Sequence, residues 1–276
     1  MHPITAFVVA AYALSIALSL VIGLTGGHQS PLIALSYLSM FLPAVAVLIV
    51  RVTLHESPRL HWDTLPVRYL PVALFLIPVV MHAAMLPVMA ALSGGIQWQA
   101  PRGWGILTGQ ALIARIALNA VAGLAVVTLL ALFEEIGWRA WLLPRLLERM
   151  GARHAVLLSA VIWALWHVPF QLSGIQHIDG ISPLRLVLAV TPGTLGAGLI
   201  IGWLWLRTES IWLCAIAHGA MNNWGQYTFK YMKDSGNPAA DFAVLLAGSL
   251  AVLAAGGLLL WFGAGKRRQF SDGFSA

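Results

Sequence analysis

No Lys, Arg, Asp or Glu occurs between Pro3 and Val50, and further uncharged stretches run from Tyr69 to Pro101, Ile116 to Phe133, Leu186 to Leu206, Ile211 to Phe229 and Phe242 to Gly265. An α-helix needs ~20 apolar residues to cross a ~30 Å hydrocarbon core, and runs of this length are what a membrane span requires. Over the whole chain 59% of residues are hydrophobic and 9% are charged, against about 25% charged in a water-soluble domain. The expected class is therefore an all-α polytopic membrane protein.

Gly, Pro and charge punctuate the chain into eight expected spans. They cover about 4 to 24, 32 to 50, 69 to 92, 116 to 150, 152 to 171, 185 to 206, 210 to 229 and 240 to 263. Residues 96 to 115, with Trp98, Pro101, Arg102 and Trp104, suit an interfacial segment better than a span. The first stretch has no basic region before it and reads as a retained helix rather than a signal peptide. If alternate loops lie on alternate sides, eleven basic residues, Arg51 to Arg268, fall with both termini and five fall opposite. The positive-inside bias then puts both termini in the cytoplasm of a cell-membrane protein. The same count explains the net charge of +6 without a nucleic-acid partner. No repeat and no second domain is visible, so residues 1–276 read as a single transmembrane domain. Cys214 is the single cysteine, which rules out an intrachain disulfide and a multi-cysteine metal site.

An ionisable side chain at mid-membrane depth costs ~3 kcal/mol or more, so it normally faces a protein interior or a wet cavity. The sequence places Glu134, Glu135 and Arg139, then His167, His218 and Asn222, inside apolar stretches. If the fourth and fifth helices turn at Gly151, Glu134 lies 17 residues before the turn and His167 lies 16 after it. With a rise of 1.5 Å per residue, the two reach about the same height. His218 follows the Arg207–Glu209 turn by 9 to 11 residues, or roughly 15 Å of helix. Glu135 and Arg139 are spaced i,i+4 for an ion pair, and His218 and Asn222 share a face at the same spacing. Glu134 is rotated by about 100° from Glu135, so one carboxylate can be tied to the arginine while the other stays free. Each residue alone is read most simply as helix-to-helix glue. Convergence of the set from three helices is what points to chemistry.

Peptide hydrolysis needs a water, a base and donors for an oxyanion. A buried glutamate is a stronger base than a solvated one, so Glu134 with His167 can hold and activate water. Donors preorganised around a developing anion are worth most, a task open to His218 and Asn222. Glu134-Glu135-x-x-x-Arg139, then Trp163-x-x-x-His167, then His218-x-x-x-Asn222, in this order on separate helices, resembles the CPBP family. That family includes CAAX prenyl endopeptidases of the Rce1 type and bacterial Abi-type proteins linked to bacteriocin processing or self-immunity. The motif-bearing core covers about residues 116–226. The resemblance implies an eight-helix intramembrane endopeptidase with Glu134 as general base, His167 positioning the water and His218 with Asn222 stabilising the oxyanion. Glu135 and Arg139 would orient the site or the substrate. Its substrate would be a membrane-bound, prenylated CAAX-type or bacteriocin-related peptide or protein. The second motif commonly begins with Phe, and Trp163 here implies an altered pocket shape. Members have been described as metalloproteases, and Glu134, His167 and His218 are the set that would bind Zn2+; the residues also serve a glutamate-based site without metal.

Other readings remain at this stage. Cys214 and His218 are i,i+4 apart and can form a Cys/His dyad, although a lone buried cysteine is usually a small hydrophobe. His55-Glu56-Ser57-Pro58-Arg59-Leu60-His61 is not His-Glu-x-x-His, and Pro58 spoils the helix such a site needs. Buried Glu and His also relay protons in transporters, but no inverted repeat is visible. A non-catalytic immunity or scaffold protein is the remaining class. Trp138, Trp141, Trp163 and Trp166 flank the motifs and are read either as the wall of a substrate groove open to lipid or as packing. Trp62, Trp98, Trp104 and Trp261 fit an interfacial belt.

Overall fold

The computed structural model describes residues 2–58, 60–92, 109–225 and 236–263. It is all-α, and the described residues contain no strand beyond one isolated bridge between Ile178 and Ile181. We number its helices α1 Pro3–Leu24, α2 Ile33–Leu54, α3 Val67–Leu92, α4 Gly109–Leu147, α5 Ala152–Leu172, α6 Pro183–Thr208, α7 Ile211–Gly225 and α8 Pro238–Gly263. All except α7 are long and apolar enough to cross a membrane. The eight expected spans map onto these eight helices. The expected interfacial segment does not survive in its second half, because residues 109–115 already belong to α4. Its first half, with Trp98 and Trp104, lies outside the described residues, as does the end of the seventh expected span.

The helices run antiparallel, which gathers alternate connections at opposite ends. At one end Arg145 donates to Glu56 Oε2 at 2.7 Å and to the Ser57 carbonyl at 2.9 Å. There Ser210 Oγ donates to the Thr64 carbonyl, and His2 shares a pocket with Glu56 and Arg145. Arg153 and Arg207 donate to the Trp261 and Gly263 carbonyls at 2.7 and 2.9 Å, so two cations cap the last turn of α8, where the helix dipole favours positive charge. At the opposite end the His28 amide bonds the Gly174 carbonyl at 2.8 Å, and the His28 and His177 rings stack at 3.8 Å.

Close packing in a bilayer depends on small residues, because lipid supplies no hydrophobic drive between helices. A Cβ on Gly219 of α7 would meet the Thr128 Cα of α4 at 2.7 Å, and one on Gly198 of α6 would meet Ala160 Cβ of α5 at 2.8 Å. Gly137 of α4 admits Pro43 of α2 in the same way, at 2.5 Å. These approaches pack α7 and α2 against α4, and α6 against α5. Residues 137 to 144 are buried on every face. The outward faces carry large apolar side chains such as Leu20, Phe75, Val121, Leu188 and Leu258, each more than half exposed. On a soluble protein so much exposed apolar surface would mark a binding or aggregation site; here lipid covers it. Trp62 and Trp261 are exposed near one end, as a belt requires.

Candidate active site

Two departures from regular helix build the site. In α4 the segment Trp138–Leu142, directly after the glutamates, is a π-turn, a feature that occurs frequently at functional sites. In α5 the first run ends at Trp166 and a short second run begins at Val168, with His167 between them. Pro169 has no N–H to continue the ladder, and the chain tightens, so that the His167 amide bonds the Ala164 carbonyl at 3.3 Å. The Trp166 carbonyl accepts from Ser15 Oγ at 3.4 Å.

The two adjacent carboxylates have different surroundings. Glu135 is fully buried, and its Oε1 accepts from Arg139 at 2.8 Å and from His218 Nδ1 at 2.8 Å. Its Oε2 has no partner. The Arg139 guanidinium also sits 4.7 Å from the centre of the Trp163 ring. Glu134, 3% exposed, accepts one hydrogen bond, from the indole N–H of Trp163 at 2.9 Å. The expected division of labour, one glutamate paired and its neighbour less encumbered, is present in these contacts.

The imidazoles are oriented by their Nδ1 partners. His167 Nδ1 lies 2.9 Å from the Trp163 carbonyl, which can only accept, so Nδ1 carries the proton and Nε2 presents a lone pair. His218 Nδ1 likewise faces a carboxylate, leaving Nε2 to point away. Both rings stand edge-on to Trp163, with centroids 5.2 and 5.1 Å away, and the charges of Glu134, His218 and Arg139 all act on His167. Trp163 is thus the hub: its N–H, carbonyl and ring touch Glu134, His167, His218 and Arg139. His167 is half-buried while Glu134, Glu135, Arg139, Trp163 and His218 are buried, so it forms the accessible edge of the cluster; Asn222, one turn beyond His218, is also half-buried. Asn222 makes no side-chain hydrogen bond among the described residues.

Three sequence readings need correction or refinement. Trp138 and Trp166 do not wall a groove open to lipid: they are 0% and 1% exposed, packed on each other with ring centres 5.6 Å apart. Phe7 of α1 covers Trp138 at 5.5 Å, and the Trp166 indole donates to the Ala11 carbonyl at 3.1 Å. Trp141 is buried as well and stacks on Phe7. Cys214 directs its Sγ toward the Ile201 carbonyl, 3.8 Å away, rather than pairing with His218. Among the described residues no group of three His, Cys, Asp or Glu converges as a metal site would, the set Glu134, His167 and His218 included. Gln171, buried one turn past His167, lies outside the motifs and carries no charge that would mark it in the sequence.

Comparison with known proteins gives two matches. Residues 116–224 match the family model described as type II CAAX prenyl endopeptidase Rce1-like. A curated protein of Methanococcus maripaludis described as "CAAX prenyl protease 2" is 29% identical over 157 residues, covering 55% of this chain and 54% of that protein. The chain therefore spans about half the length of the curated relative it matches. Residues 116–224, the span that holds every motif residue, are thus similar to the Rce1-like type II CAAX prenyl endopeptidase domain.

Proposed function

We propose that the chain is an intramembrane endopeptidase that hydrolyses a peptide bond of a membrane-associated substrate. The observation that carries this reading is the Glu134 carboxylate: buried, bonded among the described residues by the Trp163 indole alone, and sharing Trp163 as a neighbour with His167. Arg139 and His218 are directed to Glu135 instead. A base whose charge is not consumed by an ion pair keeps its basicity, which general-base catalysis requires.

In the proposed reaction Glu134 takes a proton from water while the Nε2 lone pair of His167 accepts a hydrogen bond from the water's other O–H, which stays intact. The resulting hydroxide attacks the scissile carbonyl carbon. The oxyanion receives hydrogen bonds from the Asn222 amide and from His218 Nε2. His218 donates at both nitrogens only as an imidazolium, ion-paired to Glu135. Glu134, Glu135, Arg139 and His218 then sum to zero charge, which suits a low-dielectric interior. Glu134 returns its proton to the leaving nitrogen as the C–N bond breaks. Each group prepositioned around the developing charge contributes without reorganisation.

The family description supports a prenylated, CAAX-type substrate, with a bacteriocin-related peptide as the other class to test. The end of the bundle that gathers Arg145, Arg149, Arg153 and Arg207 is proposed to face the cytoplasm. The test is cleavage by the purified protein in proteoliposomes, using a peptide library with and without a C-terminal farnesyl group. Products from farnesylated members alone support the CAAX assignment, and products from other members redirect it. No cleavage, together with proton or solute flux across sealed vesicles, overturns the endopeptidase reading in favour of transport. No cleavage and no flux overturns it in favour of an immunity or scaffold role.

A further inference from the structure

Gln171 follows His167 by one helical turn on α5 and is 1% exposed, yet among the described residues its Oε1 accepts no hydrogen bond. Buried polar groups in folded proteins are almost always paired, and one left unpaired within a bilayer is particularly costly. A leucine would fill the same space without that cost.

Two further buried polar atoms lack a partner among the described residues. Gly198 against Ala160 and Gly202 against Val156 set the antiparallel register of α6 on α5. Continuing that register places Thr191 opposite His167, and Thr191 Oγ1 is buried without a partner. On α7, Asn223 is 5% exposed and its Nδ2 is also unpaired. Gln171 and Asn223 both lie beyond the layer of His167 and His218, on the side away from the Gly151 turn. An acceptor, a donor and a hydroxyl, from three helices, are left open at or beyond the layer of the catalytic groups.

We infer that Gln171 binds the main chain of the substrate: its Oε1 accepts the N–H of a peptide that lies extended past the site, two residues from the scissile bond. This rests on the endopeptidase reading. One helical turn separates His167 from Gln171 by about 6 Å, and two residues of extended chain span about 6.6 Å. Alternate residues of an extended chain face the same way, so a scissile carbonyl at Glu134 and His167 brings the N–H two residues on to Gln171. That N–H has no water to bond in the membrane and needs a protein acceptor. A helical substrate has its N–H groups already bonded, so the inference specifies an extended segment, locally unwound if it derives from a membrane helix.

The test uses the full chain in proteoliposomes and one cleaved peptide, resynthesised with a single N-methyl group at each position within three residues of the cut. In the wild type, methylation two residues from the cut is expected to raise KM about threefold to tenfold, the worth of one neutral hydrogen bond. Gln171→Leu should show that rise with the unmodified peptide, gain no further rise from the methyl group at that position, and keep kcat within twofold. Its Tm should equal or exceed that of the wild type, since a buried unpaired acceptor has been removed. A wild-type KM in Gln171→Leu, or additive effects of the substitution and the methyl group at every position, would overturn the inference. A lowered Tm with matching loss of active protein would also overturn it, by assigning Gln171 to structure. Absence of cleavage by the wild type would overturn the endopeptidase reading itself, and is seen before Gln171 is changed.

Discussion

Replacing Arg139 by leucine perturbs the centre of the cluster, and its cost follows from the contacts. The substitution removes a charge-assisted hydrogen bond of 2.8 Å to Glu135, worth about 1.5–3 kcal/mol. It also removes the cation from the face of Trp163, worth about 0.5–2 kcal/mol when desolvated. The remaining Glu135 is 0% exposed and has one oxygen unpaired already, so its charge would be left to His218 alone. The sum agrees with the ~3–5 kcal/mol expected for removing one partner of a buried pair. At about 2–4 °C per kcal/mol for a chain of this size, Tm should fall by about 6–20 °C. Cys214, the single cysteine, is buried, so a thiol-reactive fluorophore reports unfolding in detergent without an added label. Arg139→Leu combined with Glu135→Gln removes both charges and should recover most of the loss, giving a large coupling energy. Additive losses in the double variant, or an unchanged Tm in Arg139→Leu, would refute the claim that this pair anchors the site.

Four other substitutions test separate parts of the account. Gly219→Val should cost about 1–3 kcal/mol by overpacking, because its side chain would meet the backbone of Thr128, and the same Tm assay should register it along with a loss of activity. Tyr12→Phe and Trp166→Phe each delete one bond between α1 and α5, at 2.7 Å to the Ile162 carbonyl and 3.1 Å to the Ala11 carbonyl. Each should lower stability by about 1 kcal/mol, read as a small fall in Tm. Cys214→Ala should retain the cleavage rate, since the thiol faces the Ile201 carbonyl; loss of cleavage with an intact fold, as judged by circular dichroism, would revive a cysteine nucleophile.

Much of the architecture and some of the site can be read from charge and spacing. The long uncharged stretches mark the spans because carrying charge into lipid is costly. The i,i+4 spacing of Glu135 and Arg139 places them in contact on any regular helix, and the pair forms. The near-equal distances of Glu134 and His167 from Gly151, 17 and 16 residues, anticipate that α4 and α5 meet at that height, where Trp163 reaches Glu134. What is illegible depends on partners remote in sequence. Nothing in the Glu134–Trp141 segment shows that Phe7 will bury Trp138 and Trp141, which removes both from the expected groove. The π-turn at Trp138–Leu142 adds local geometry that a strict 3.6-residue period does not encode. His218 is fixed by Glu135 across 83 residues, so its tautomer could not be assigned from the His218 to Asn222 spacing. Gln171 escaped notice because an uncharged amide in an apolar run is silent until its lack of a partner is seen.

The central claim is that Glu134 is the base of a peptide hydrolysis carried out in the membrane. Its most direct test is Glu134→Gln in proteoliposomes beside the wild type, with the substrate consumed and products formed followed by mass spectrometry. The Cys214 fluorophore assay should first establish equal Tm. The substitution keeps the size of the side chain and the acceptor for the Trp163 indole but removes the base. The account predicts substrate binding near the wild-type level with cleavage reduced by at least about a hundredfold, within the range assigned to a general base. Cleavage by a folded Glu134→Gln at a rate near that of the wild type would contradict it.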